Sequence, residues 1–240
     1  MNGIFITGTD TGIGKTFVTA YLTGILQRSG VKAVPYKPIQ SGGRRENGEL
    51  IAEDIEIYQQ AAQLPYRQEE LCTYCLEPPV SPHLAARISG VEIEKDRMIH
   101  HYHKLQKENE VVIVEGAGGL AVPLAENEDG VYLTKDFIKE LNIPIIIVTH
   151  PFLGTINHSI LTAEYAMKNG ISVLGFVVNK MPRADSLMEQ DNLRMLKLLS
   201  GVPVIGKIPY LDGQTDFERL FTEESLISLN QIVKKQRHNQ

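Results

Sequence analysis

The segment Gly8-Thr9-Asp10-Thr11-Gly12-Ile13-Gly14-Lys15-Thr16 directly follows the apolar run Ile4-Phe5-Ile6, and it constrains the fold more than any other stretch of the chain. A buried strand that runs into a glycine-rich loop and then a helix is the arrangement of a phosphate-binding loop. Glycines let successive backbone N–H groups turn inward around phosphate oxygens, the Lys15 ammonium supplies a mobile positive charge, and the Thr16 hydroxyl is placed to ligate Mg²⁺. The helix that begins there adds the partial positive charge of its N-terminus. Five residues separate Gly8 from Gly14, one more than the usual four, so Thr9 occupies the first-glycine position. Nucleotide handling is the leading expectation.

The 240 residues suit a single α/β domain, expected to span 1–240. With 42% hydrophobic and 22% charged residues the composition is that of a soluble protein. No apolar run approaches the roughly 18 residues that cross a bilayer. The first strand begins almost at Met1, leaving no room for a signal peptide ahead of it, so a cytoplasmic location without membrane association is expected. A formal charge of −5 argues against an extended nucleic-acid surface, because phosphate-backbone affinity needs clustered Lys and Arg. Small-molecule chemistry fits better.

The two cysteines, Cys72 and Cys75, invite a redox or zinc reading. Pro78, Pro79 and Pro82 follow closely, which is the context of a loop and not of a thioredoxin-like helix. Further zinc ligands would have to come from His100, His101 and His103. The preferred reading is two reduced thiols and a solvated histidine cluster.

Short apolar runs alternate with helical patterns, the signature of a mostly parallel central sheet flanked by helices in three layers. Strands are expected at 3–7, 32–36, 111–115, 144–149, 173–179 and 204–207. Helices are expected after the phosphate loop up to Gly30, and at 50–63, 95–108, 133–141, 157–169 and 186–199. The proline-rich stretch 64–82 reads as the longest irregular segment. The distinctive polar residues follow the strands: Gly8, Lys37-Pro38, Glu115-Gly116-Ala117-Gly118-Gly119, His150-Pro151, Asn179-Lys180 and Pro209-Tyr210-Leu211. In an open α/β sheet the carboxyl ends share one edge, where ligands bind. Six such segments make one active-site rim.

Glu115 ends the run Val111-Val112-Ile113-Val114, and Mg²⁺ takes one or two carboxylates alongside phosphates and waters, so Thr16, Asp54 and Glu115 are the candidate metal ligands. For Asp54 an interaction with the dipole of its own helix is the alternative. Lys37, before Pro38, is biased to extended backbone and projects over the rim; with Lys15 it would place two cations around a transferring phosphoryl group. Ser41-Gly42-Gly43 adds a hydroxyl and free N–H groups. No Ser-His-Asp or Cys-His arrangement is suggested, so a covalent hydrolase has little support. Asn179 is suited to a purine edge. Pro182 lacks the carboxylate that an Asn-Lys-x-Asp guanine signature would place there, which favours ATP.

The chain closely resembles the dethiobiotin synthetase family nearly end to end. The resemblance rests on the lengthened loop Gly8 to Thr16, Tyr36-Lys37-Pro38-Ile39-Gln40-Ser41-Gly42, Ser81-Pro82-His83-Leu84-Ala85-Ala86, Glu115 to Gly119, Gly154-Thr155-Ile156-Asn157-His158 and Pro209-Tyr210-Leu211. Gly12 stands where some relatives carry Glu, and the two cysteines belong to no family motif. The resemblance implies a homodimeric P-loop enzyme that converts 7,8-diaminononanoate, CO₂ and MgATP to dethiobiotin, ADP and phosphate through a carbamate. It implies Lys37 as the catalytic residue assisted by Lys15, with Mg²⁺ on Thr16, Asp54 and Glu115. ATP is implied at Gly12, Ile13, Gly14, Lys15, Thr16, Phe17, Asp54, Glu115, Gly116, Ala117 and Gly118. Its adenine side falls to Asn179, Lys180, Pro209, Tyr210, Leu211 and Asp216. Thr11 and Ser41 would lie near the diamine or carbamate. Gly154, Thr155, Ile156 and Asn157, at a helix start, would take the substrate carboxylate across the dimer interface; the alternative for Asn157 is simple helix capping.

Two other classes compete. A cobyrinic acid amidating enzyme normally adds a glutamine-hydrolysing domain, for which this chain is too short. A nucleotide-switched positioning ATPase of the ParA/MinD kind often carries an additional Lys early in the loop, where this chain has Thr9, Asp10 and Thr11. The basic tail from Ile232 to His238 is brief and reads as a frayed end.

Overall fold

The computed structural model of the protein describes residues 3–62, 64–128, 130–181 and 186–209. In chain order the first half runs β1 (Gly3–Gly8), α1 (Lys15–Arg28), β2 (Ala33–Ser41), the hairpin β3 (Arg44–Glu46) and β4 (Glu49–Ile51), α2 (Glu53–Ala62), α3 (Gln68–Leu71), β5 (Cys72–Leu76) and α4 (Pro82–Ser89). Then follow α5 (Lys95–Glu108), β6 (Val111–Glu115), a second hairpin of β7 (Pro123–Asn127) and β8 (Gly130–Leu133), and α6 (Thr134–Leu141). The last described elements are β9 (Ile145–Thr149), α7 (Thr155–Lys168), β10 (Val173–Met181), α8 (Leu187–Ser200) and β11 (Val204–Pro209).

Seven strands form one sheet in the order β11-β10-β9-β1-β6-β2-β5, and each neighbouring pair is parallel. Strands β1, β6 and β9 are buried at every position, as strands covered by helices on both faces must be. Their uninterrupted Ile, Val and Phe runs form the core, where Phe5 meets Phe137 edge-on at 6.3 Å. Fully burying side chains of this size contributes about 1.5–3 kcal/mol each. This is the three-layer α/β architecture expected from the alternating pattern.

The order of the strands places the site. From β1 the chain crosses to β2 and then β5 on one side, whereas from β6 it crosses back over β1 to β9, β10 and β11 on the other. With right-handed crossovers, the loops after β1 and β6 diverge to opposite sides of the sheet. Adjacent strands whose following loops diverge open a crevice at their carboxyl ends, the position that ligands occupy in such sheets.

The stretch expected to be irregular between Leu64 and Pro82 instead holds α3 and β5, which is an edge strand of the sheet. Burial alternates along Cys72-Thr73-Tyr74-Cys75-Leu76, a period-two signal hidden by the flanking prolines. The missed strand also explains why β2 runs to Ser41 and not to Tyr36. Residues Ala33 to Tyr36 pair with β6, and from Lys37 to Ser41 the partner is β5. Pro38, with no N–H to donate, lies beyond the last β6 pairing. Other departures are the helix α4, which was not expected, the two hairpins, a start of α2 at Glu53, and β10 continuing through Asn179 and Lys180 to Met181.

Both cysteines are free, and the buried Cys72 thiol is pushed up to about 12 by loss of solvation, so it stays protonated. The histidines do not form one solvated cluster. His100 and His103 are exposed, whereas His101 bridges Thr73 Oγ1 at 2.8 Å and the Glu70 carbonyl at 2.9 Å. Among the described residues no group of three His, Cys, Asp or Glu side chains stands together as a metal site, and no helix is long and apolar enough to cross a membrane.

Candidate active site

A cavity of about 300 Å³ opens at the carboxyl ends of β1, β6 and β2, lined by the loop residues Thr11, Gly12 and Gly14, by Lys15 and Thr16 of α1, by Lys37 to Ser41 of β2 apart from Pro38, by Asp54, and by Glu115 to Gly118. The loop reaches α1 through Gly14 at φ +96°, a left-handed conformation in which an added Cβ would also run into the Asn179 amide. On the opposite wall Gly118 stands at φ +77°. The first turn of α1 carries no acidic residue, so its unpaired N–H groups and dipole face the cavity without internal compensation.

Register decides the chemistry of the floor. Because Tyr36 pairs with Val114, the next residues along the two parallel strands, Lys37 and Glu115, emerge side by side at the sheet edge. Lys37 Nζ lies 2.6 Å from Glu115 Oε1 and is also ion-paired to Asp54 Oδ2 from the first turn of α2. Thr16 Oγ1 sits 2.9 Å from Glu115 Oε1 and 3.0 Å from Asp54 Oδ1. Its single proton serves one of these carboxylates at a time. Glu115 Oε2 accepts from the hydroxyl of Tyr58, a residue that sequence reasoning missed. Its signal was the spacing of Asp54 and Tyr58, one helical turn apart on α2.

Two ammonium groups and two carboxylates thus share the floor. Lys37 is buried, and loss of solvation opposes its charge, but Glu115 and Asp54 outweigh this and hold its proton more tightly than in water. For Lys15 burial wins: its pKa is lowered by desolvation, and the Lys37 charge pushes the same way against Glu115, Asp54 and Asp10. In this state its Nζ donates to the Asp10 carbonyl at 3.0 Å. An incoming phosphate would restore what burial takes from the Lys15 charge. Burial, followed by the Glu115 and Asp54 charges, raises the Tyr58 hydroxyl well above its ordinary value and keeps it a donor.

The donor set suits Mg²⁺. A hydroxyl and two carboxylates converge on one point, and that point already attracts a cation in the form of Lys37. Hard oxygen ligands in this number leave the remaining coordination to phosphates and waters.

The structure therefore brings together Thr11, Gly12, Gly14, Lys15, Thr16, Lys37, Ser41, Asp54, Glu115, Gly116, Ala117 and Gly118. Ile39 and Gln40 line the same cavity and were not singled out as site residues. The Gln40 amide nitrogen donates to the Ser41 carbonyl at 3.0 Å, and its buried Oε1 has no partner. Other expected residues lie outside the lining. Ile13 is buried and its carbonyl accepts from Asn179 Nδ2 at 3.0 Å, so one amide proton of Asn179 braces the loop. Phe17 stacks on Tyr21 within α1. Lys180, exposed at φ +59°, lies one residue before the end of β10, and Pro209 ends β11 on the same edge. Tyr210, Leu211 and Asp216 lie outside the described residues.

At the start of α7 the N-cap is Gly154 at φ +89°, with no side-chain cap, so Asn157 does not serve as one. Thr155 is buried, bonded to Thr149 at 2.8 Å, while Gly154 and Asn157 are exposed. No acidic residue occupies the first turn of this helix either.

A family profile described as an AAA domain matches residues 2–217. Among solved structures the chain is similar to the MinD cell division protein of Aquifex aeolicus, with a TM-score of 0.57 and 17% identity over 98% of each chain. It is similar also to pNOB8 ParA bound to nonspecific DNA, with a TM-score of 0.56 and 11% identity over 100% of this chain and 99% of that one. At such identities the likeness is one of fold. Sequence relatives are nearer. An ATP-dependent dethiobiotin synthetase BioD from Anoxybacillus flavithermus is 44% identical over 211 residues, which span 88% of this chain and 93% of that protein. One of the same name from Bacillus thuringiensis is 38% identical over 233 residues, 97% of this chain and 93% of that protein. With identity of this extent running through nearly the whole of both sequences, the chain belongs to the family of ATP-dependent dethiobiotin synthetases.

Proposed function

We propose that the protein is a ligase that uses ATP to close the ureido ring of dethiobiotin from 7,8-diaminononanoate and CO₂, releasing ADP and phosphate, as a step of biotin biosynthesis. The observation that carries the reading is Lys37: a second buried ammonium on the floor of the phosphate-loop cavity, held by Glu115 and Asp54 where a transferring phosphoryl group would pass.

The chemistry runs in three steps. One substrate amine attacks CO₂ and loses a proton, giving a carbamate. A carbamate oxygen then attacks the γ-phosphorus and the bond to ADP breaks, producing a carbamic-phosphoric anhydride. The second amine attacks its carbonyl carbon, the C–O bond to phosphate breaks, and the five-membered ring closes. Both amines belong to one molecule, so the last step gains from proximity. Lys15 and Lys37 stabilise charge on the γ-phosphate and carbamate oxygens, the N–H groups of Gly12 to Thr16 hold the phosphates in place, and Gly116, Ala117 and Gly118 form the facing wall. Thr16, Asp54 and Glu115 would hold Mg²⁺, which when bound neutralises phosphate charge. Thr11 and Ser41 orient the diamine. Asn179, Lys180 and Pro209, with Tyr210, Leu211 and Asp216, form the adenine side. The helix start at Gly154, Thr155, Ile156 and Asn157 takes the substrate carboxylate from a second copy of the chain, so the working unit is a homodimer of single-domain subunits in the cytoplasm, with no nucleic-acid or membrane partner.

The reading is tested by following ADP with and without 7,8-diaminononanoate and bicarbonate, and identifying dethiobiotin by mass. ADP formation that requires the diamine and matches dethiobiotin mole for mole is expected. ATP hydrolysis indifferent to the diamine would replace this reading with that of a nucleotide switch.

A further inference from the structure

Glu115 is asked to do two things with one carboxylate, because its Oε1 meets both Thr16 Oγ1 at 2.9 Å and Lys37 Nζ at 2.6 Å. A carboxylate turns readily about its last side-chain bond, so this aim needs a fixed point on the other oxygen. Tyr58 supplies it: the residue is fully buried in α2 and its hydroxyl donates to Oε2. We infer that Tyr58 is a positioning residue for the synthesis reaction, holding Glu115 so that Oε1 faces Thr16 and Lys37 where Mg²⁺ and the γ-phosphate are handled.

Two observations support the inference. Tyr58 lines no part of the cavity, so it acts through Glu115 and not on substrate. It stands one turn after Asp54 on the same helix, and Asp54 grips the other side of Lys37 and Thr16. A single helix therefore braces a ring of contacts that joins α1, β2 and β6, and the docking of α2 becomes the setting of the site. Hydrogen-bond partners of this kind commonly alter metal affinity or activity 10–100-fold when removed.

The inference rests on the proposed use of MgATP for dethiobiotin synthesis, and its test separates the two. Tyr58→Phe keeps the buried ring and removes only the hydroxyl; Tyr58→Met, which also lacks the donor, replaces it if the first variant does not fold. Mn²⁺ is titrated into enzyme with ADP present, and binding is read by paramagnetic resonance. Dethiobiotin formation is then measured against Mg²⁺ and, separately, against the diamine. We expect Mn²⁺ binding to weaken about tenfold and the Mg²⁺ half-saturation to rise by a similar factor, with the diamine KM unchanged within about twofold. In a Glu115→Gln background the loss of the hydroxyl should add less than about twofold, because its coupling is to the carboxylate. Unchanged Mn²⁺ and Mg²⁺ dependence, or an equal loss in both backgrounds, would overturn the positioning role. A wild-type enzyme that binds Mn²⁺ and ADP but makes no dethiobiotin would overturn the proposed reaction instead, since the resonance assay does not involve the diamine.

Discussion

Lys37 Nζ and Glu115 Oε1 stand 2.6 Å apart, both almost wholly removed from solvent, although 78 residues separate them in the chain. The pairing of Tyr36 with Val114 one step earlier in β2 and β6 brings them together. Asp54 completes the grip on the ammonium. An ion pair buried to this degree contributes less to stability than its geometry suggests, but removing one partner leaves an uncompensated charge.

Replacing Lys37 by Ala should therefore do two separable things. Dethiobiotin synthesis should be largely abolished while the protein still folds and keeps much of its ATP affinity. Denaturant unfolding should show a loss of about 3–5 kcal/mol, the usual consequence of orphaning a buried partner. In a Lys37→Met, Glu115→Gln double variant most of that stability should return while activity stays absent. Full turnover in Lys37→Ala would remove the residue from the mechanism.

Glu115→Gln keeps the shape of the side chain but weakens it as a cation ligand. The Mg²⁺ concentration for half-maximal turnover should rise by about tenfold. A magnesium titration that overlays that of the wild type would make Glu115 a structural residue only.

His101 gives the fold a pH dependence away from the cavity. Its Nε2 faces the Glu70 carbonyl, which only accepts, so the neutral ring carries its proton there and Nδ1 accepts from Thr73. Burial lowers its pKa from the ordinary value near 6.5, and Lys104, Arg97 and His100 add to this while the Glu70 carbonyl opposes it. The unfolded chain then takes up the proton at a higher pH than the folded one. Stability is fully present above about 6.5 and falls as pH drops from there towards the lowered folded value. The melting temperature should decline across that window, and His101→Gln should flatten the decline. An unchanged slope in the variant would assign the effect to other groups.

Gly14→Ala should be costly for two reasons that can be told apart. At φ +96° a side chain costs about 1–2 kcal/mol, and the new Cβ also collides with the Asn179 amide. Combining it with Asn179→Ala should relieve the collision and leave the backbone penalty. Thermal unfolding and ATP binding would register both, and a Gly14→Ala protein as stable as wild type would contradict the loop geometry.

Most of the site was legible because it follows from local chemistry. The loop Gly8 to Thr16, the carboxylate at the end of an apolar strand and the lysine before Pro38 each announce a role from their neighbours alone. Long buried strands were equally plain, since a run such as Ile145 to Thr149 has no polar face to expose. The errors lie where a residue's role depends on a distant partner. β5 reads as loop until β2 is seen to need a second neighbour, and with it the extension of β2 to Ser41 was lost. Tyr58 reads as an ordinary core tyrosine because the carboxylate that it holds is 57 residues away. His101 was placed in a solvated cluster for the same reason, its partners Thr73 and Glu70 lying on elements that were not expected there.

The most direct test supplies the enzyme with MgATP, 7,8-diaminononanoate and CO₂ carrying ¹⁸O, and analyses both products by mass before the label exchanges with water. Attack of a carbamate oxygen on the γ-phosphorus followed by ring closure predicts one ¹⁸O in the phosphate released and one in the ureido carbonyl of dethiobiotin. Phosphate without label, or ADP formed at the same rate without the diamine, would contradict the account.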